Sequence, residues 1–218
     1  MGTLMSTGEL NMQAILFDVD GTLLDTEHMY MLALQAVLAD AGYQVSYEQV
    51  YATFGLPSVE ALAYLGFTKR PDLVQAWQER CQNYQARVQP FPGIRTMLTT
   101  LGQHYQLGLV TSNQAAEFLE HDRPFNLSTF FPVQVFAGQT KRRKPAPDPI
   151  NLALKQLACP PGQALYIGDS LHDMQAAHAA QANFGLAGWG TTVRQPFLGQ
   201  ADAIFEEPAA VIEQVGRL

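Results

Sequence analysis

A short apolar segment at residues 15–17 ends abruptly in two carboxylates, Asp18 and Asp20, and a Gly-Thr pair follows them. The apolar run and the turn residues predict a buried strand that delivers both acids to a loop. Charge at the end of a buried strand costs on the order of several kcal/mol unless it is paired, hydrogen-bonded or bound to a metal ion. A role as plain turn-capping acids is the alternative, but this cost favours a functional site.

The spacing of the two acids matters because side chains at positions i and i+2 of an extended segment project to the same side. Asp18 and Asp20 can therefore face one reacting atom together. One acid can attack while the other handles a proton, a division of labour that requires two environments and two pKa values. We predict that both acids are catalytic.

A second pair of acids follows another apolar strand, at residues 165–167. Asp169 and Asp173 lie four residues apart across a loop that leads into a helix, so both can turn toward one cation. Together with Asp18 and the backbone carbonyl of Asp20 they form an all-oxygen site, which Mg²⁺ prefers. The alternative for Asp169 is a plain helix N-cap. The predicted metal ligands are Asp18, Asp20, Asp169 and Asp173.

These two segments resemble motifs of the haloacid dehalogenase-like hydrolase superfamily. Residues 18–22 match its first motif, Asp-x-Asp-Gly-Thr, without a gap, and residues 168–173 match its last motif, Gly-Asp-x-x-x-Asp. The resemblance implies that Asp18 is an aspartyl nucleophile, that Mg²⁺ is the cofactor, and that the reaction is phosphoryl transfer. It also implies that Asp169 binds the ion directly, and Asp173 either directly or through water.

Two further segments resemble the remaining motifs of the superfamily. Thr111 follows an apolar strand, as the lone Thr or Ser of the second motif does, and a purely structural role at the strand end is the alternative. Its hydroxyl and the nearby backbone of Ser112 and Asn113 are predicted to hold the phosphoryl oxygens at the start of the next helix. Lys144 precedes the sequence PAP, which resembles the third motif, Lys-Pro-x-Pro. Its ammonium is predicted to screen the repulsion between nucleophile and phosphate, in a loop that the prolines stiffen.

The order of the predicted elements favours an α/β fold. After residue 92, predicted helices and strands alternate, which is typical of a mainly parallel sheet covered by helices on both faces. Between residues 26 and 88, apolar residues recur at three- and four-residue steps and predict helices only, among them stretches at 47–54, 58–65 and 73–88. We therefore predict a Rossmann-like three-layer core at 13–24 and 90–218, a small all-helical cap at 25–89, and a loose leader at 1–12.

Charge and hydropathy limit the possible partners of this chain. A formal net charge of −7 over 218 residues argues against binding to nucleic acid or anionic membranes. The basic run at residues 141–144 is a local exception, which we interpret as solvated surface apart from Lys144. No apolar run approaches the ~20 residues that a membrane span requires. The first dozen residues also lack a secretory pattern, so we expect a cytoplasmic protein, and nothing indicates an obligate protein partner.

The cysteines and histidines show no metal-type spacing. Cys81 and Cys159 are far apart and are expected to be reduced. Cys81 shares the helical spacing of Leu73 and Trp77, which predicts a place in the core. The remaining candidates are interpreted as structural or exposed side chains: His104, His121, His172 and His178.

A helical insert directly after the first motif resembles one subgroup of the superfamily, which contains phosphoglycolate phosphatase and beta-phosphoglucomutase. The resemblance implies a mobile cap that closes over a small phosphorylated metabolite and excludes water. The specificity loop of that subgroup falls on residues 54–58 of this chain. We therefore expect contacts with the substrate from Phe54, Gly55, Leu56, Pro57 and Ser58.

The resulting hypothesis is a Mg²⁺-dependent phosphatase that hydrolyses a small phosphomonoester through an aspartyl phosphate. A phosphomutase is one alternative, but the subgroup's sugar mutase has a histidine acid/base and a cap-loop arginine where this chain has Tyr30 and residues 55–58. A dehalogenase is disfavoured because those relatives lack the acid that is present here as Asp20. A phosphate-sensing module built like a receiver domain is the alternative from another class, and the cap and Lys144 disfavour it.

Overall fold

The computed structural model describes residues 12–217. The leader predicted at residues 1–12 therefore lies outside the described residues, apart from Met12. The strands are β1 (Ala14–Phe17), β2 (Leu24–Asp25), β3 (Gln89–Pro90), β4 (Gln106–Val110), β5 (Val133–Val135), β6 (Ala164–Gly168), β7 (Asn183–Ala187) and β8 (Ala203–Phe205). The α-helices are α1 (Glu27–Asp40), α2 (Tyr47–Tyr51), α3 (Ser58–Tyr64), α4 (Pro71–Cys81), α5 (Ile94–Leu101), α6 (Ala115–Asp122), α7 (Asp148–Leu157), α8 (Leu171–Ala179) and α9 (Pro208–Gln214).

The central sheet of the described chain is entirely parallel, in the order β5-β4-β1-β6-β7-β8. Read in chain order, this is the 3-2-1-4-5-6 arrangement of the Rossmann fold, whose ligands bind beyond the carboxyl ends of the central strands. Phe17 of β1 lies opposite Leu109 of β4 and Ile167 of β6. The residues that follow these three strands therefore meet at one edge, and the predicted α/β fold is confirmed.

Apolar side chains of the sheet point to both faces, as a doubly covered parallel sheet requires. Ile15 and Phe17 pack into a core with α5, α6 and α9 on one face. Ala14 and Leu16 pack into a second core with α7 and α8 on the other face. All four side chains of β1 are fully buried. This alternation along β1 produces the predicted three layers.

A helical insert, defined here as residues 27–87, separates β1 from the rest of the sheet. It contains α1 to α4 and a 3₁₀ helix at Gln82–Arg87. The short strands β2 and β3 flank it and pair antiparallel, with Leu24 opposite Pro90, so the chain leaves and re-enters the core at adjacent points. The indole Nε1 of Trp77 donates to the Tyr30 carbonyl at 2.8 Å and ties α4 to α1. The division into a separate cap domain and core stays a prediction.

Two helices of the insert end earlier than the periodicity predicts. Helix α2 ends at Tyr51 rather than near residue 54, because Gly55 takes a left-handed φ of +83° and Pro57 then precedes α3 as its N-cap. The stripe predicted from residue 73 to 88 is divided between α4 and the 3₁₀ helix. Among the described residues, no helix combines the length and apolar character that crossing a membrane requires. The expected cytoplasmic location stays a prediction.

Candidate active site

Three neighbouring strands each deliver one polar side chain to the carboxyl edge of the sheet. Asp18 follows β1, Thr111 follows β4 and Asp169 follows β6. The ladder continues into these residues, because the Asp18 amide donates to the Ile167 carbonyl at 2.9 Å. The Thr111 amide likewise donates to the Val135 carbonyl at 3.0 Å. Rigid backbone thus places the acids and the hydroxyl side by side, as the motifs predict.

The turn after Asp18 requires glycine at position 21. Gly21 has a φ of +71°, and a Cβ there would lie 2.3 Å from Oδ2 of Asp169. A side chain at this position would be strained and would also push the Asp169 carboxylate aside. The amides of Leu23 and Leu24 both donate to the Val19 carbonyl and close the turn. Gly21 is therefore needed for the close approach of the two acidic segments.

Lys144 lies at the centre of the site and is almost fully buried. Its Nζ donates to Asp18 Oδ1 at 2.9 Å, to Asp173 Oδ1 at 2.6 Å and to the Tyr166 hydroxyl at 2.9 Å. Burial opposes its charge, but Asp173 and Asp18 outweigh burial and raise the pKa of Lys144. The ammonium therefore remains charged beside the predicted nucleophile.

Tyr166 is a part of the site that sequence reasoning missed. Tyr166 belongs to the apolar run of β6, a position that is typical of core side chains. Its hydroxyl nevertheless lies 2.9 Å from the Val110 carbonyl and contacts Lys144. A buried tyrosine hydroxyl requires a hydrogen-bond partner. A tyrosine in a strand that ends at the acidic edge is the one signal that the sequence offered.

Asp173 lies behind Lys144, in the first turn of α8. Its Oδ2 accepts hydrogen bonds from the backbone amide of Ser170 at 3.1 Å and from the Ser170 hydroxyl at 2.6 Å, as part of a capping box. Its Oδ1 accepts from Lys144 and lies 3.1 Å from the Tyr166 hydroxyl. Burial opposes its charge, but Lys144 outweighs burial and holds the pKa of Asp173 below its usual range. Asp173 thus positions Lys144, and its role as a metal ligand stays a prediction.

The donor set of the site fits a hard divalent cation. Asp18, Asp169 and Asp173 each offer a carboxylate oxygen, and these oxygens lie within 4.8 Å of one another. Burial, Asp173 and Asp18 raise the pKa of Asp169 well above its ordinary value. Burial likewise raises the pKa of Asp18 to about 7, although Lys144 acts in the opposite direction. A cation lowers such pKa values again because it favours the charged carboxylates.

Asp20 faces the cavity beside polar atoms that lack partners. Among the described residues, Asp20 Oδ1, Thr26 Oγ1 and Asn113 Nδ2 are buried without a hydrogen-bond partner. Burial, followed by the charge of Glu117, raises the pKa of Asp20 to about 6, and the neighbouring Thr26 and Asn113 oppose this rise. A carboxyl with that pKa can both give and take a proton near neutral pH.

A cavity of about 670 Å³ opens above the sheet edge, between the core and the helical insert. Predicted site residues that line it are Asp18, Asp20, Gly55, Ser58, Thr111, Ser112, Asn113, Lys144 and Asp169. Residues 54–58 all face it, so the structure places the expected specificity loop at the cavity, while its contact with substrate stays a prediction. Asp173 is fully buried behind Lys144 and does not line the cavity.

Helix α6 contributes cavity residues that the motifs do not identify. Glu117, Glu120 and His121 face the cavity, and His121, expected to be structural or exposed, is buried beside it. The Tyr30 hydroxyl of the insert donates to Glu117 Oε1 at 3.1 Å. Cys81 packs in the core as predicted and also borders the cavity. No sequence pattern marked these residues, because α6 reads as an ordinary amphipathic helix.

Comparison with known proteins decides the family. The sequence pattern of the haloacid dehalogenase-like hydrolase family matches residues 15–187, a span that contains the four segments described above. The chain belongs to this family. The membership predicted from the DVDGT motif is therefore confirmed, and with it the assignment as a hydrolase.

Several relatives in the haloacid dehalogenase-like family are similar over most of their length. A phosphorylated carbohydrates phosphatase of Thermotoga maritima is 31% identical over 78% of this chain and 82% of its own. A phosphoglycolate phosphatase of Aquifex aeolicus is 30% identical over 82% of this chain and 86% of its own. The solved structure of CbbY from Rhodobacter sphaeroides in complex with phosphate superposes with a TM-score of 0.77 at 25% identity, over 94% of this chain and 99% of CbbY.

Proposed function

We propose that this hydrolase is a Mg²⁺-dependent phosphatase that cleaves a small phosphomonoester through an aspartyl-phosphate intermediate. One observation carries the proposal: Asp18 lies at the floor of the cavity, 2.9 Å from the buried Lys144 ammonium and two residues before Asp20. Relatives named as phosphatases support the reaction class. Phosphate bound to CbbY supports a phosphoryl ligand.

In the first half of the reaction, the Asp18 carboxylate attacks phosphorus in line and the bond to the alcohol oxygen breaks. Asp20 gives its proton to that oxygen as the alcohol leaves. In the second half, Asp20 takes a proton from a water molecule, which attacks the phosphorus and frees phosphate and Asp18. A pKa of about 6 suits Asp20 to both steps.

The phosphoryl group is held by Thr111, which follows β4, and by Lys144 in the loop before α7. The Thr111 hydroxyl oxygen accepts a hydrogen bond from the backbone amide of Asn113 at 3.1 Å. The hydroxyl proton can therefore be donated to a phosphoryl oxygen. The Lys144 ammonium screens the repulsion between Asp18 and the phosphate and stabilises the charge of the transition state. Asp18, Asp169, the Asp20 carbonyl and Asp173 would hold Mg²⁺. When bound, the ion neutralises phosphoryl charge and orients the ester.

Two of the alternatives, the mutase and the receiver-like sensor, lack support from the cavity. Tyr30 occupies the place of the mutase acid/base, and its hydroxyl is already hydrogen-bonded to Glu117. Residues 55–58 offer no cation for a second phosphate. A receiver-like sensor has no need of a 670 Å³ cavity beside its phosphorylated acid.

Phosphate release from p-nitrophenyl phosphate tests the proposal. We expect turnover that requires Mg²⁺, stops on chelation, and falls to background in Asp18→Asn. Asp72→Asn is the matched control, because it makes the same change at an exposed ion pair with Arg70 on the insert. A fully active Asp18→Asn variant would contradict the nucleophile. A stable phosphoenzyme without turnover would assign the protein to the sensor class.

A further inference from the structure

The part of the cavity wall that α6 forms carries negative rather than positive charge. Helix α6 places Glu117 and Glu120 on its wall. Glu117 is partly buried and is held toward the insert by the Tyr30 hydroxyl, 3.1 Å from its Oε1. Glu117, Tyr30 and Asp20 line the same cavity, so the Glu117 carboxylate faces the space into which the alcohol must leave.

Every cation on the described cavity wall that could oppose these acids is already engaged or neutral, apart from His172 at the start of α8. Lys144 is buried between Asp18 and Asp173. Arg143 pairs with Glu60 of the insert at 2.8 Å and is largely exposed. Burial lowers the pKa of His121, so that its ring is neutral near pH 7. A second anionic group on the substrate would therefore find repulsion and no free arginine or lysine.

The wall that the insert contributes is uncharged but rich in hydrogen-bonding groups. The polar side chains on it are Tyr30, Thr53, Ser58, Gln78, Gln82 and Gln85. Hydroxyls and amides of this kind both donate and accept hydrogen bonds. They match the hydroxyl groups of a sugar or polyol, and the apolar rings of Phe54 and Trp77 complete the enclosure.

We infer that the substrate is the phosphate ester of an uncharged, hydroxyl-bearing alcohol, and that Glu117 excludes alcohols that carry a second anionic group. The inference rests on the proposed phosphatase function and adds its substrate class. The specificity arises from repulsion as much as from attraction, because an anion beside Glu117 loses hydration without gaining a cationic partner.

Two esters of similar size test this inference. 2-Hydroxyethyl phosphate and phosphoglycolate differ only in a hydroxymethyl group against a carboxylate. We expect kcat/KM for the neutral ester to exceed that for phosphoglycolate by at least about tenfold at low ionic strength, as expected for a like charge at short range. Equal or faster cleavage of phosphoglycolate would overturn the inference. Faster cleavage of phosphoethanolamine than of the hydroxyethyl ester would overturn the assignment of an uncharged alcohol.

Variants of α6 test whether its carboxylates cause the preference for the neutral ester. Glu117→Gln keeps an acceptor for Tyr30 and removes the charge, and we expect the preference for the neutral ester to fall about fivefold. Glu120→Gln should shift the preference in the same direction by less, because Glu120 is exposed, and it provides a second test if the first variant fails to fold. Glu79→Gln on the exposed side of α4 removes the same charge outside the cavity and should leave the preference unchanged.

The outcomes separate this inference from the proposed function. If p-nitrophenyl phosphate is not cleaved with Mg²⁺, the phosphatase assignment fails. If it is cleaved while Glu117→Gln leaves the preference unchanged, the phosphatase assignment stands and only the role of Glu117 is refuted.

Discussion

Lys144 Nζ and Asp173 Oδ1 lie 2.6 Å apart, and neither side chain is more than 5% exposed. A buried ion pair of this kind is costly to break, because the surviving charge is left in a medium that solvates it poorly. The pair comes from a loop and from the first turn of α8, which are 29 positions apart in the sequence. It therefore fixes the ammonium beneath Asp18 and connects the third and fourth motifs.

Asp173→Asn should destabilise the protein. The amide preserves the shape of the side chain but leaves Lys144 with Asp18 as its remaining carboxylate partner, so we expect the free energy of unfolding near pH 7 to fall by about 2–4 kcal/mol. Urea denaturation measures this change. The exposed Asp72→Asn variant should unfold at the same urea concentration as the unmodified protein. Unchanged stability of Asp173→Asn would show that the pair contributes no net stabilisation.

Gly21→Ala should lower both stability and Mg²⁺ affinity. Alanine at this position would keep a φ of +71°, and its Cβ would lie 2.3 Å from Asp169 Oδ2. We therefore expect the free energy of unfolding to fall by about 2–3 kcal/mol and the Asp169 carboxylate to be displaced. Gly42→Ala is the matched control, because Gly42 has a φ of +87° with nothing within 4 Å of its Cβ. Gly42→Ala should lower the free energy of unfolding by about 1 kcal/mol. It should leave the Mg²⁺ affinity measured by calorimetry unchanged. Equal Mg²⁺ affinity in both variants would contradict the close approach.

Asp20→Asn should slow the cleavage of esters whose leaving group needs a proton more than the cleavage of esters whose leaving group does not. An alkyl alkoxide leaves poorly without an acid, whereas p-nitrophenolate leaves readily, so we expect kcat to fall by ~10²–10⁴ for alkyl esters. For p-nitrophenyl phosphate, a burst of one equivalent of nitrophenol should persist, followed by slow turnover as the intermediate waits for its base. Stopped-flow absorbance measures the burst. Its absence, together with an equal loss on both esters, would refute Asp20 as the acid.

The acids of the site were predictable because each belongs to a short segment whose neighbours already reveal its structure. An apolar run followed by Asp18 indicates a strand end, and parallel strands bring such ends together whatever their separation in the chain. The same reasoning identified Asp169, whereas Thr111 and Lys144 were identified by their resemblance to the second and third motifs of the family. The sheet and the helices of the insert followed from periodicity, while the ends of α2 and α4 did not, because local turns decide where a helix stops.

Other cavity residues were not predictable, because their role depends on which element they face. Glu117 reads as a polar position of an amphipathic helix, and only the fold shows that this face lies opposite Tyr30. Tyr166 reads as core, and its hydroxyl gains importance from Lys144, 22 positions away. Long-range packing between the insert and α6 therefore determines the part of the cavity in which we propose that the alcohol binds.

Mg²⁺ should stabilise the protein more at neutral than at acidic pH. The pKa of Asp18 rises from an ordinary value of 3.8 to about 7 on folding, so without Mg²⁺ the folded protein holds a proton that the unfolded chain has released. Stability from this group is therefore present at low pH and is lost as pH rises through about 4 to 7. The raised pKa of Asp169 acts in the same direction.

Mg²⁺ should reverse this dependence, because it would bind the deprotonated carboxylates and compete with their protons. We expect the rise in Tm on adding Mg²⁺ to be clearly larger at about pH 7.5 than at about pH 5.5, since each proton displaced weakens apparent affinity up to tenfold per pH unit. Differential scanning calorimetry with Mg²⁺ or with a chelator measures this rise in Tm. Asp18→Asn removes the titrating carboxylate and should reduce both the shift and its pH dependence. A shift of equal size at both pH values would mean that protons and Mg²⁺ do not share these acids.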